Sequence, residues 1–186
     1  MHIVLRTFPL SGLCVSWDNE MFYYDPGREL LIVGFGNPLL SDDGLGVEVV
    51  KALGKSSLPD NITLWDGGTM NVDSIDLLAH YSQAIIIDCL DPSLSQSGIV
   101  EFTLNEVTLK SDSQQMSAHH VNLADAINLM LTLDLHVPRI LFIGVTGQNV
   151  NPGEGLSAVV ENYVGVITCK ILKLINGPKH KAGGLL

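Results

Sequence analysis

Leu31-Ile-Val-Gly-Phe-Gly-Asn-Pro-Leu-Leu-Ser-Asp-Asp-Gly-Leu-Gly46 opens as an apolar run, turns through glycines and presents two adjacent acids before an amphipathic stretch. A short apolar run bounded by glycines predicts a buried strand over 29–33. The periodic positions Leu45, Val49 and Ala52 or Leu53 predict a helix over 45–53. The same alternation continues outward. A second strand over 61–65 ends at Asp66-Gly-Gly-Thr69, and a helix follows over 72–81. A third strand, Ala84-Ile-Ile-Ile87, ends at Asp88, and residues 98–104 alternate as an edge strand does. Residues 105–118, rich in Ser, Gln and Asp, read as a loop. A helix over 119–133, a strand over 139–145, a polar loop over 147–155 and a final helix over 156–174 complete the order. Strands alternating with helices predict a three-layer α/β sandwich: a twisted, mostly parallel sheet with helices on both faces and one antiparallel edge strand. The polar loops at 34–43, 66–69, 88–93 and 146–153 then share one edge of the sheet, where open α/β sheets place their sites. The domain lies within 29–175. Residues 1–28 read as a variable amino-terminal arm, with an alternation in 2–8 that suits an edge strand. Residues 176–186 read as a flexible tail.

Composition narrows the function. The chain has 186 residues, 46% hydrophobic and 16% charged, which suits one folded domain and excludes disorder. Its formal net charge of −10 is the wrong sign for a nucleic-acid partner. Cys14, Cys89 and Cys169 form no C-x-x-C pair, so neither a disulfide framework nor a structural zinc knot is indicated, and the expected compartment is the reducing cytoplasm. The apolar run at 8–15 is short and broken by Pro9 and Gly12, so neither a signal peptide nor a membrane span is expected.

Three polar points stand at the ends of regular elements. Gly34-Phe-Gly36 after a strand invites a dinucleotide reading. Leu39 occupies the third glycine position, however, and Asp42 and Asp43 would repel a pyrophosphate. The glycines serve tight turning and close backbone approach. Either acid could cap the helix that follows; the second could point across the strand-end crevice. Asp88 terminates three isoleucines, so its backbone is anchored in the core while its carboxylate reaches the edge. His119 and His120 open a helix. Two carboxylates and a neutral imidazole suit nickel, zinc or manganese, and they leave positions open for water or substrate, as metal-assisted hydrolysis requires. No Gly-x-Ser-x-Gly elbow and no His-Glu-x-x-His occur. Cys89, beside Asp88, reads as core or wall rather than nucleophile.

Gly34-Phe-Gly-Asn-Pro-Leu-Leu-Ser-Asp-Asp-Gly-Leu-Gly46, Trp65-Asp-Gly-Gly-Thr69, Ile87-Asp88 and Ser117-Ala-His-His120 together resemble the motifs of the hydrogenase maturation endopeptidases, in order and spacing over about 30–174. The resemblance implies a twisted, mostly parallel sheet flanked by helices. It implies a protease that removes a C-terminal extension from the large-subunit precursor of a nickel–iron hydrogenase after nickel insertion. It implies Asp43, Asp88 and His119 as the residues that meet nickel and serve catalysis. On the same resemblance the nickel is expected to come with the substrate, and another divalent metal could occupy the isolated site. The family's first position is Glu or Asp, so Asp43 is no departure, and His119 rather than His120 matches by its place before the helix. Asp66, Gly67 and Gly68 are expected to shape the cleft rather than bind metal. The partner is the precursor, with no nucleic acid and no membrane, and the enzyme is expected to be monomeric. The opening also resembles peptidyl-tRNA hydrolase, but Ser41-Asp-Asp-Gly44 stands where that family differs. A hydrogenase-binding or metal-sensing chaperone without proteolysis is the alternative.

Overall fold

The apolar run after Glu29 forms one of six strands in a single mixed sheet. The computed structural model describes residues 6–8, 22–69, 72–91, 98–104 and 123–177. Its elements are β1 (Arg6–Phe8), β2 (Leu30–Phe35), α1 (Leu45–Leu53), β3 (Ile62–Gly68), α2 (Val72–Ala79), β4 (Gln83–Leu90), β5 (Ile99–Leu104), α3 (Leu123–Thr132), β6 (Arg139–Thr146) and α4 (Ala158–Asn176), with a 3-10 turn over Ser41–Gly44 before α1. The order across the sheet is β1-β5-β6-β4-β2-β3. β2, β3, β4 and β6 are parallel, and β5 runs antiparallel to β6.

Two apolar layers explain the three-layer build. Leu45, Val49 and Leu53 of α1 and Val160, Tyr163 and Ile167 of α4 pack on one face of the sheet against Ile32, Ile85 and Ile87. Ile75 and Leu78 of α2 and Ala126, Ile127 and Met130 of α3 pack on the other, against Val33, Phe35 and Ile86. Strands covered on both faces carry continuous apolar runs rather than alternation, which is why β2, β4 and β6 were legible as runs. Each fully buried Leu or Ile stabilises such a layer by about 1.5–3 kcal/mol.

Several boundaries move. β4 continues past Ile87 through Asp88, Cys89 and Leu90, because each pairs onward with β6. β3 continues through Asp66-Gly67-Gly68, with a register shift opposite Gly34 and Phe35. The expected edge strand over 98–104 is antiparallel as predicted, but β1 pairs along its outer side, Arg6 with Glu101 and Phe8 with Ile99. The outermost strand on that side therefore comes from the amino-terminal arm, where the alternation in 2–8 pointed. The expected loop at 105–118 and the beginning of the helix predicted from 119 lie outside the described residues.

The segment after Met21 is stitched across the amino-terminal edge of the sheet. Phe22 and Tyr24 are buried in the α1/α4 layer. The Tyr24 hydroxyl donates to Asn61 Oδ1 at 2.8 Å. Gln83, first residue of β4, accepts from the Asp25 amide at 2.9 Å and donates to its carbonyl at 3.1 Å. Arg139, first residue of β6, donates to Gln83 Oε1 at 2.8 Å and to the Tyr23 carbonyl, with its guanidinium 3.9 Å from the Tyr23 ring centroid. Among the described residues, no helix is long and apolar enough to cross a membrane.

Candidate active site

The strand order reverses between β2 and β4. From β2 the chain crosses by α1 on one face to β3, then returns by α2 on the other face to β4, on the far side of β2. The flanking helices leave these neighbouring strand ends in opposite directions, and a crevice opens outside their carboxyl ends. Asp43 follows β2 and Asp88 lies near the end of β4, so both expected acids sit at this crevice.

Asp43 is delivered by a turn that only glycines allow. A side chain on Gly36, at φ +133°, would put its Cβ 1.7 Å from the Asp43 carbonyl oxygen. A Cβ on Gly46 would lie 2.3 Å from the Phe35 carbonyl oxygen and 2.5 Å from that of Ile87. The chain thus doubles back directly over the ends of β2 and β4. Ser41, within the 3-10 turn, has a left-handed backbone at φ +53°, a conformation a non-glycine residue holds only when its surroundings impose it. Asp43 is 3% exposed, and its Oδ2 accepts from the Asn37 amide at 2.7 Å. Asp88 is 6% exposed, and its Oδ1 accepts from the Cys89 amide at 2.8 Å. Strand alternation sets Asp88 on the side of Ala84, Ile86 and Leu90, which face α2 and α3.

The Cys89 thiol reports the same electrostatics. Burial pushes its pKa up strongly, and the charges of Asp88, Asp43 and Asp42 push it further. It is kept as a neutral thiol, in keeping with a wall residue and not a nucleophile.

Neither acid of the pair caps α1, which has no side-chain cap. Asp42 instead turns the other way. It is fully buried and accepts from the Gln148 and Asn149 amides at 2.8 and 2.9 Å, from the Ser157 amide at 2.6 Å and from the Ser157 hydroxyl at 3.0 Å. Ser157 is also the N-cap of α4, accepting from the Val160 amide. The sequence pointed to Asp42 only as a possible cap; its partners lie more than a hundred residues away, and the one local hint was Ser157 standing before a helical run. The loop carrying those partners is fastened to the turn by backbone as well, with Ser41 N donating to Gly153 O and Gly153 N to Leu39 O. Beside the turn opens a cleft of about 560 Å³, walled by Ser41 and Gly44 on one side and by Gly155 and Leu156 of that loop, with Glu48 and Glu161 on its helical walls.

Of the three expected metal-contacting residues, the structure sets Asp43 and Asp88 at one crevice, and His119 lies outside the described residues. Among the described residues no three His, Cys, Asp or Glu side chains form a metal-holding group. Asp66 is exposed at the end of β3 and accepts from the Gly68 amide at 3.1 Å, within its own strand end. α3 leads into the amino-terminal end of β6, which is parallel to β4, so its first turn at Leu123 lies toward the same edge as the crevice, on the face to which Asp88 belongs.

Residues 47–174 match the family model described as hydrogenase maturation protease. The hydrogenase 2 maturation protease of Escherichia coli is 28% identical over 136 residues, covering 73% of this chain and 83% of that protein. A hydrogenase expression/formation protein of Rhizobium leguminosarum is 28% identical over 141 residues, covering 75% and 70%. The solved structure of a hydrogenase maturating endopeptidase from E. coli superposes with a TM-score of 0.69 at 25% identity, covering 80% of this chain and 92% of that one.

Proposed function

The chain belongs to the hydrogenase maturation protease family, and from that premise we propose that it removes the C-terminal extension of a nickel-loaded nickel–iron hydrogenase large-subunit precursor. The observation that carries this reading is the placement of Asp43 and Asp88 at one topological switch point, the position where open α/β sheets do their chemistry. His119, which lies outside the described residues, completes the proposed set on the strength of its motif Ser117-Ala-His-His120.

The donor set fits the metal that such a precursor brings. Two carboxylates and a neutral imidazole are ligands nickel accepts, and they do not demand a complete protein cage. In this proposal the nickel is part of the substrate, and Asp43, Asp88 and His119 meet it as it arrives. A metal so placed can polarise the scissile carbonyl or lower the pKa of a bound water. The chain's own work is to hold two carboxylates at fixed points on rigid strand ends and to seat the peptide beside them. The cleft next to the Asp43 turn, on the α1/α4 face and within the usual size range of ligand sites, is the proposed seat for chain flanking the scissile bond. Action as a monomer in the cytoplasm is part of the same proposal.

The test is a processing assay with purified protein and candidate large-subunit precursors, nickel-loaded and nickel-free. A shortened large subunit is expected from the loaded form alone. Binding with no change in size would replace the protease reading with a chaperone, and equal cleavage of the nickel-free precursor would remove the metal from the recognition step.

A further inference from the structure

Adjacent residues on a turn point in different directions, so a pair of acids there need not share a task. Asp43 faces the crevice loop through Asn37; Asp42 is turned into the protein. A fully buried carboxylate is costly unless its oxygens are satisfied. Asp42 satisfies this with donors drawn from one distant stretch: Gln148 and Asn149 after β6, and Ser157 at the start of α4. The Asp42 amide in turn donates to the Asn149 carbonyl at 2.9 Å. Gly147, which begins that stretch, approaches so closely that a Cβ on it would lie 2.8 Å from Cys89 Sγ and 3.4 Å from Asp42 Cβ. One carboxylate therefore ties together the end of β6, the cap of α4 and the left-handed turn at Ser41, next to the residue proposed to meet the substrate.

We propose that Asp42 is a positioning residue for Asp43. Its buried carboxylate clamps residues 148–157 against the 3-10 turn, and this clamp holds the strained Ser41 backbone and so fixes where the Asp43 carboxylate stands. The inference rests on the reading of Asp43 as a site residue. Two functions follow from one acid pair: Asp43 touches substrate, and Asp42 touches only protein. Loss of Asp42 should displace Asp43 while leaving the chemistry of its carboxylate untouched.

The decisive variant is Asp42→Asn, which keeps shape but replaces an acceptor oxygen with an amide nitrogen. Amide hydrogen exchange reads the clamp without any substrate. The one remaining oxygen keeps the place that accepts from Gln148, Asn149 and the Ser157 hydroxyl, so exchange should speed up at Ser157, whose amide loses its acceptor directly, and also at Asn37, whose amide donates to Asp43. In the processing assay, kcat should fall on the order of 100-fold, as an ångström-scale misplacement does, with KM little changed. Arg139→Ala, which loosens the opposite edge of the sheet, is the control for general destabilisation and should retain both kcat and Asn37 protection. Should Asp42→Asn not fold, Ser157→Ala removes a single donor and should move the same readouts in the same direction to a smaller extent. Unchanged Asn37 protection in a variant whose Ser157 amide has opened would overturn the proposal, as would wild-type kcat. If the wild-type protein shortens no precursor, the protease reading fails, and the exchange measurement still decides the clamp.

Discussion

At the amino-terminal edge of the sheet, Gln83 and Arg139 direct their polar atoms into the backbone of residues 23–25 and close that edge with side chain to main chain bonds. At the carboxyl-terminal edge, strand ends of the same parallel set carry Asp43 and Asp88, each held by an amide close in sequence, around a crevice. Both edges face the same problem of unpaired backbone at strand termini. One solves it by laying a segment of chain across the ends, the other by tight glycine turns that keep the ends apart and open. The first arrangement adds stability and forecloses access. The second accepts a left-handed serine and three buried acids in exchange for an approachable site. The difference teaches that polarity alone does not mark a site in this fold; what matters is whether the strand ends beside the polar groups are covered by chain or left open.

The largest expected effect breaks the comparison if it fails. Asp88→Asn or Asp43→Asn should lower processing by roughly 1,000-fold or more, the scale of losing a directly acting electrostatic group, with the melting temperature little changed. Arg139→Ala at the other edge should leave the rate within about twofold. Full activity of both acid variants, or a large loss in Arg139→Ala, would erase the distinction between the edges. Next in size is Gly46→Ala, where the new Cβ meets two backbone oxygens that cannot move aside; urea denaturation should show a loss of about 3 kcal/mol or more. A loss below about 1 kcal/mol would mean that the strand ends tolerate being pushed apart. Arg139→Ala itself should cost about 2 kcal/mol through the lost hydrogen bonds and ring stacking, read from the same denaturation midpoint.

The smallest effect is a pH dependence. The Cys89 thiol is held above its ordinary value of 9.0, first by burial and then by the acids around it. Unfolded, it ionises near 9; folded, it keeps its proton. The folded state therefore binds more protons above that pH, and stability falls as pH rises, by up to about 1.4 kcal/mol per unit. Below 9 the contribution is fully present. Denaturation at pH 8, 9 and 10 should show this slope in the wild type and a shallower one in Cys89→Ala; parallel slopes would detach the thiol from the electrostatics of the crevice.

Much of the fold was legible because central strands buried on both faces write themselves as apolar runs, and α1 spans the residues its periodicity predicts. Strand ends were less legible. Asp88 is a poor strand former, so the strand seemed to stop before it, yet pairing with Gly144 of β6 carries it onward. The outer place of β1 and the insertion of β6 between β4 and β5 are tertiary facts that no local pattern encodes. The place of Asp43 and Asp88 near the crevice was legible because one follows a glycine turn after an apolar run and the other breaks such a run. Asp42 was not, because a side chain whose partners are distant in sequence looks, locally, like a helix cap. His119 was singled out by sequence and lies outside the described residues.

The bond from Ser157 to Asp42 spans 115 residues. During synthesis, the acid-bearing turn emerges early, but its fastening and the strand that joins β4 to β5 come only with the last third of the chain. Such long-range pairing is the slow part of folding. A ribosome-bound fragment ending before β6 carries both acids of the crevice without the framework that aligns them, so the order of translation itself separates having the site residues from having the site.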